Sequence, residues 1–201
     1  MALKFANNNS LSEITSTPSG VGGGSMNLIS TQTASSSSTI SFTSGIDSTY
    51  DEYVFKFINI HGASDDQVFS FNVSIDGGSN YNVTKTTTNF RAYHREDDGG
   101  ASLDYQTGND LAQGTGFQHL FSYINTDADM SCAGTLHLFN PSSTTFIKHF
   151  FGRSANAHGS DYAQDIYYGG YCNVTAAIDA VQFKFSSGNI DSGVIKLYGI
   201  A

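Results

Sequence analysis

The chain contains no tryptophan, two cysteines, two prolines and only nine basic residues, against 18 acidic ones, in 201 residues. Each shortage excludes something. Cys132 and Cys172 stand far apart, outside any Cys-x-x-Cys spacing, so zinc and dithiol redox chemistry have no framework here. Buried free thiols are the expected state, and a disulfide stays open only if the two fall on neighbouring strands. A formal net charge of −9 leaves too few Lys and Arg to concentrate against phosphate, which excludes nucleic acid and anionic membrane as partners. No apolar run approaches the roughly 20 residues of a membrane helix. Met1-Ala2-Leu3-Lys4-Phe5 leads into Asn and Ser rather than a secretory apolar core, so synthesis and retention in the cytoplasm are expected.

What is plentiful is glycine (21), phenylalanine (15), tyrosine (11) and small hydroxyl residues. Aromatic and β-branched side chains suit pleats and glycine suits tight turns, so the composition predicts many short strands. The length suits one well-buried domain. Residues 1–25 differ from the rest, being rich in Ser, Gly and Asn, with Pro18, Gly20 and Gly22-Gly23-Gly24. Such a segment cannot repay its own ordering entropy and is expected to order only against a protein surface. It is read as a docking arm, with Leu3, Phe5, Leu11 and Ile14 as anchors, ahead of a β-sandwich domain over 26–201.

From Met26 the pattern is strand-like. Met26–Gln32 and Ser38–Thr43 read as a hairpin around Thr33–Ser37. Glu52–His61 is almost wholly apolar, as in a central strand. Gln67–Asp76 alternates, with Phe69, Phe71, Val73 and Ile75 on one face. Tyr81–Thr88 and Asn89–Arg95 follow, then a long polar loop over 96–116 with a helical turn near Asp110–Gln113. Later strands are expected at Gly116–Tyr123, Ala133–Asn140, Thr144–Gly152, Ile178–Ser187 and Ser192–Ile200, with hairpin turns at Asn140–Ser143 and Ser187–Asn189. Some ten antiparallel strands with one long loop fit an antiparallel two-sheet β-sandwich, jelly-roll-like, with an extended N-terminal arm.

Chemistry-bearing residues are sparse. The six histidines are scattered singly, with His137 and His149 able to face each other only across the Asn140–Ser143 turn, so no metal ligand set is assigned. The acidic stretches Glu96-Asp97-Asp98 and Asp127-Ala128-Asp129 lack the spacing of a known calcium loop. There is no Gly-x-Ser-x-Gly elbow and no phosphate-binding glycine loop. No catalytic residue, cofactor or metal site is assigned, and the chain is read as a non-enzyme. The segment from Asp161 to Tyr171 is the richest in contact chemistry. Asp161, Tyr162, Asp165, Tyr167, Tyr168 and Tyr171 combine carboxylates with rings, a mixture that serves a glycan or protein contact, or a loop packed over the sandwich end.

The stretches Leu3-Lys4-Phe5-Ala6-Asn7-Asn8-Asn9-Ser10-Leu11-Ser12-Glu13-Ile14, Leu28-Ile29-Ser30-Thr31-Gln32-Thr33-Ala34 through Ile46-Asp47-Ser48-Thr49-Tyr50, and Gly193-Val194-Ile195-Lys196-Leu197-Tyr198-Gly199-Ile200 resemble small virion structural proteins of marine cyanobacterial tailed phages. That resemblance implies an exterior jelly-roll virion component that assembles as a homotrimer and carries no catalytic residues. With no heptad shaft or β-helical repeat to hold a tip away from the particle, a capsid decoration or cement knob docked on a major capsid or tail protein is favoured. The alternatives are a tail-fibre or receptor-binding module that contacts host-surface glycan, and a glycan depolymerase.

Overall fold

The computed structural model describes residues 26–201. They form twelve strands: β1 (Met26–Ser37), β2 (Ile40–Phe42), β3 (Glu52–Gly62), β4 (Gln67–Ser74), β5 (Lys85–Arg95), β6 (Ala101–Tyr105), β7 (Gln118–Ile124), β8 (Cys132–Phe139), β9 (Lys148–His158), β10 (Tyr162–Cys172), β11 (Ala180–Phe185) and β12 (Ile190–Ile200). No helix occurs among the described residues. The strands make two antiparallel sheets, of order β1-β12-β3-β8-β9-β10-β5-β6 and β2-β11-β4-β7. The fold is the β-sandwich expected, and the arm anchors Leu3, Phe5, Leu11 and Ile14 lie outside the described residues.

The strand order carries the jelly-roll pattern. Setting aside β1 and β12, and treating the β8-β9-β10 meander as one position, the smaller sheet reads 1-8-3-6 and its partner 2-7-4-5. That is two interlocked Greek keys, with strands added at one edge and at one interior position.

The core divides chemically in two. Around Phe183 the sheets meet through rings, with Phe42, Phe55, Phe57 and Phe71 at centroid distances of 6.2, 5.2, 5.2 and 6.4 Å. Phe57 also meets Phe69 and Phe121 edge-on. Edge-to-face pairs contribute about 0.5–1.5 kcal/mol each beyond their area. Beneath β9 and β10, toward β7, the interior is instead amide-rich. Gln164 Nε2 and Asn156 Nδ2 both donate to the Ser122 carbonyl, at 3.0 and 3.3 Å, and Gln118 Nε2 donates to Asn109 O at 2.9 Å. Two lysines are also interior. Lys148 Nζ donates to the carbonyls of Val174, Thr175 and Ala176, and Lys85 Nζ to Asn72 Oδ1 and Val83 O. Carbonyl and amide oxygens here satisfy charged donors that burial would otherwise penalise.

Several expectations are corrected. Met26–Ser37 and Ile40–Phe42 are no hairpin, because β1 pairs with β12 and β2 with β11 in the other sheet. Thr33–Ser37 is strand, not turn. Ser187–Asn189 likewise crosses between sheets. Tyr81–Thr84 is not strand, and β5 runs unbroken from Lys85 to Arg95. Inside the supposed polar loop, Ala101–Tyr105 forms edge strand β6 on β5, and residues 110–113 make no helical turn. Ile75 is 42% exposed because β4 ends at Ser74, where Ser74 Oγ and the Asp76 carboxylate bind the following turn.

Candidate functional site

The Tyr-rich segment is not a loop. It is β10, an interior strand between β9 and β5. Strand alternation therefore sorts the six candidate contact residues onto opposite faces. Even-numbered positions point into the sandwich. Tyr168 is 3% exposed, donates its hydroxyl to Thr135 O at 2.8 Å, and burial pushes its pKa well up. It is a core residue rather than a contact residue. Tyr162, also on this side, stacks on the His158 ring at 3.9 Å. Asp165, Tyr167 and Tyr171 share the outward face, and Asp161 sits in the β9–β10 turn at φ 59°.

Outward, four strands align one row. Register places Arg153 on β9 opposite Tyr167 on β10, Tyr167 opposite Phe90 on β5, and Phe90 opposite Tyr105 on β6. Tyr167 and Phe90 are stacked, and the Arg153 guanidinium lies 5.1 Å from the Tyr167 centroid. Arg153 also grips the Asp165 carboxylate. Both ring faces of Tyr167 are thus covered, its outer edge is left to solvent, and its hydroxyl donates to Asp165 Oδ2 at 3.4 Å. Tyr105, 50% exposed, donates to Asp110 Oδ2 at 2.7 Å. Further along β10, Ala155 in the Asp165 row and Ala163 in the row beyond it floor two shallow hollows of about 470 and 370 Å³, bordered by His94 and Gln164.

A second outward cluster is mainly apolar and occupies the other end of the same sheet. One row runs Leu28, Tyr198, Val54, His137, Phe151 across β1, β12, β3, β8 and β9. The adjacent row runs Met26, Ile200, Glu52, Phe139. His137 stacks on Phe151 at 5.0 Å, and Phe139 packs on Phe151 at 5.3 Å. Leu28 and Phe151 are 55% and 52% exposed. The one carboxylate in these rows, Glu52, meets His137 Nδ1 at 2.6 Å. The sequence reading missed this surface because both faces of β8 and β9 carry large apolar or aromatic residues, Leu136 and Leu138 inward with His137 and Phe139 outward on β8, and Phe150 inward with Phe151 outward on β9. The adjacent pair Phe150-Phe151 was a usable signal, since one of two consecutive strand residues must face out.

The remaining polar groups serve local structure. His137 pairs across the sheet with Phe151 and His149 with Tyr171, so the two histidines do not meet. Among the described residues no three His, Cys, Asp or Glu side chains come together as a metal site. Asp97 binds Arg95 and the Gly99 amide, and the Arg95 guanidinium first and that amide second hold its pKa at about 2. Cys132 and Cys172 are buried and free, at opposite ends of β9, opposite Asn156 and Lys148. Burial pushes the Cys172 thiol up to about 12, so it is no nucleophile near neutrality.

A search of family models, of curated proteins and of solved structures found nothing that matches the chain.

Proposed function

We propose that this protein is a phage virion structural protein on the particle exterior, a capsid decoration or cement subunit that docks through residues 1–25. One observation carries the reading. The apolar surface of the large sheet begins at Met26 and Leu28, where residues 1–25 join the domain, and continues through Tyr198, His137, Phe139 and Phe151. Contiguous exposed apolar surface on a single face marks an interaction site rather than a solvated wall. The resemblance to cyanophage virion proteins points the same way, as does an acidic domain that neither nucleic acid nor anionic membrane attracts. The partners are further copies of itself, as a homotrimer, and a major capsid or tail protein, and the place of action is the virion.

The test is assembly. A chain lacking residues 1–25 folds, by circular dichroism and urea unfolding, but is missing from particles purified after complementation; wild-type occupancy would end the arm reading. Light scattering of the isolated protein reports the trimer, and a monomer at every concentration counts against it.

A second reading, a tail-fibre or receptor-binding module, is favoured by one feature. The outward row of Arg153, Tyr167, Phe90 and Tyr105 borders the alanine-floored hollows and offers polar edges to a sugar or protein. Glycan-array binding abolished by Tyr167→Ala and Tyr171→Ala would promote it, and an array with no signal would remove it.

A further inference from the structure

We infer that Lys85 and Asn72 are the two halves of an intramolecular isopeptide bond, which forms with loss of ammonia and ties β5 of the large sheet to β4 of the small one. It is a modification of the chain by itself and stands independently of where the protein acts.

A nucleophile and an electrophile are held together here. Lys85 Nζ lies 2.5 Å from Asn72 Oδ1, and both side chains are fully buried. With the amine on the oxygen lone-pair direction, that contact sets Nζ about 3.3 Å from Asn72 Cγ, the separation of a near-attack pair. The carboxamide is fixed at both of its polar atoms. Nδ2 donates to the carbonyls of Tyr81, Thr115 and Gly116 at 2.7, 3.0 and 3.3 Å, and Oδ1 also accepts from the Val73 amide at 2.9 Å. Carbonyls on one side and donors on the other settle which end is oxygen. The amine is positioned as firmly. Nζ donates to Val83 O at 2.7 Å, and the Lys85 backbone exchanges both of its hydrogen bonds with Gly114.

The amine is also poised to react. Two acceptors use two hydrogens, which suits an amine with a lone pair better than an ammonium with three. Among the described residues no carboxylate pairs with Lys85. Burial pulls its pKa from 10.5 to about 8, so the free base is accessible near neutrality. An ammonium enclosed without a counter-ion costs free energy, and acylation of the amine abolishes that cost. Lys148 supplies the contrast, because its Nζ meets only backbone carbonyls, where attack would sever the chain.

The step balances within the pair. The Nζ lone pair adds to Cγ, forming a C–N bond and moving the carbonyl electrons onto Oδ1, where the Val73 N–H meets the developing negative charge. The C–Nδ2 bond then breaks as the carbonyl re-forms. One proton passes from Nζ to Nδ2, which departs as ammonia, and Nζ keeps its other hydrogen as the N–H of a secondary amide. The balance needs no oxidant and no second reactant.

The experiment is intact-mass spectrometry of the denatured full-length protein, followed by sequencing of its tryptic peptides. Expected are a mass below that of the sequence by one ammonia, loss of cleavage after Lys85, and a branched peptide joining Asn72 to Lys85. Any unlinked fraction is expected to convert about tenfold faster at pH 9 than at pH 7, following the free-base fraction of an amine with a pKa of about 8. Lys85→Met and Asn72→Ala are each expected to restore the full sequence mass. Full mass in the wild-type protein after prolonged incubation at pH 9 would overturn the inference. So would a deficit that persists in Lys85→Met, or one without the branched peptide, which denotes an asparagine cyclised on its own backbone. Because the branched peptide is read from the wild-type chain, the test decides even where a variant fails to fold.

Discussion

Tyr167 and Phe90 stand face to face across the β10–β5 pair, with ring centroids 5.0 Å apart and planes 4° from parallel. The stack is a cross-strand pair on an exposed face, so it ties β5 to the meander without drawing on the core. With the Arg153 guanidinium on the other side, Tyr167→Ala removes one aromatic pair and one cation–π contact. The expected loss is about 1–2 kcal/mol in urea unfolding. A double-mutant cycle with Phe90→Ala is expected to return a coupling of about 0.5–1.5 kcal/mol, and zero coupling would show that the stack is incidental.

Acid stability is expected to bend at His158. Burial first, and the Arg91 charge second, lower its pKa from 6.5 to about 4, while Asp66 opposes them. The unfolded chain therefore takes up this proton at a higher pH than the folded one. The histidine's contribution is full above 6.5 and is lost as pH falls from 6.5 toward 4. The ring is partly screened, so the loss is at most about 2 kcal/mol. His119, lowered by burial, adds in the same sense. His158→Phe keeps a ring against Tyr162 and should flatten unfolding free energy across this window; an undiminished slope refutes the assignment.

The Lys148 ammonium pins the loop after β10. Lys148→Met leaves the carbonyls of Val174, Thr175 and Ala176 without that donor. The expected cost is about 2 kcal/mol or more, with faster hydrogen exchange over residues 173–179. Unchanged exchange there would mean that the loop is held by other contacts.

Gly152 marks a place where the sheet tolerates no side chain. A Cβ there would overlap the Thr135 carbonyl and the Tyr168 ring. Gly152→Ala is expected to cost about 1–3 kcal/mol through displaced packing. Gly108, where a Cβ meets nothing within 4 Å, is the matched site whose alanine variant should be near neutral in thermal unfolding.

The sequence made legible those elements whose two faces differ. β4 and β11 alternate cleanly at Phe69, Phe71 and Val73 and at Val181, Phe183 and Phe185, and β3 announced itself by continuous apolarity. β10 was hidden because its inward set includes Gln164 and its outward set includes Tyr167 and Tyr171, so polarity did not track direction. β6 was hidden because an edge strand with Leu103 in solvent has no buried face to impose a period. Periodicity also cannot name a partner strand, which is why β1 and β2, adjacent in sequence, were joined as a hairpin when they belong to different sheets. Of the candidate contact residues, Asp165, Tyr167 and Tyr171 shared a face, whereas Tyr168 did not, since one residue of register reverses direction.

The β1–β12 pairing sets how the domain bears load. Met26 lies opposite Ile200, so tension applied through the preceding residues enters at a rung where two antiparallel strands finish together. Pulled across the sheet, β1 peels from β12 rung by rung at low force; pulled along the strand, all of its rungs resist in shear at once. The direction of a pull applied at Met26 would therefore decide whether the domain holds firm or sheds its outermost strand.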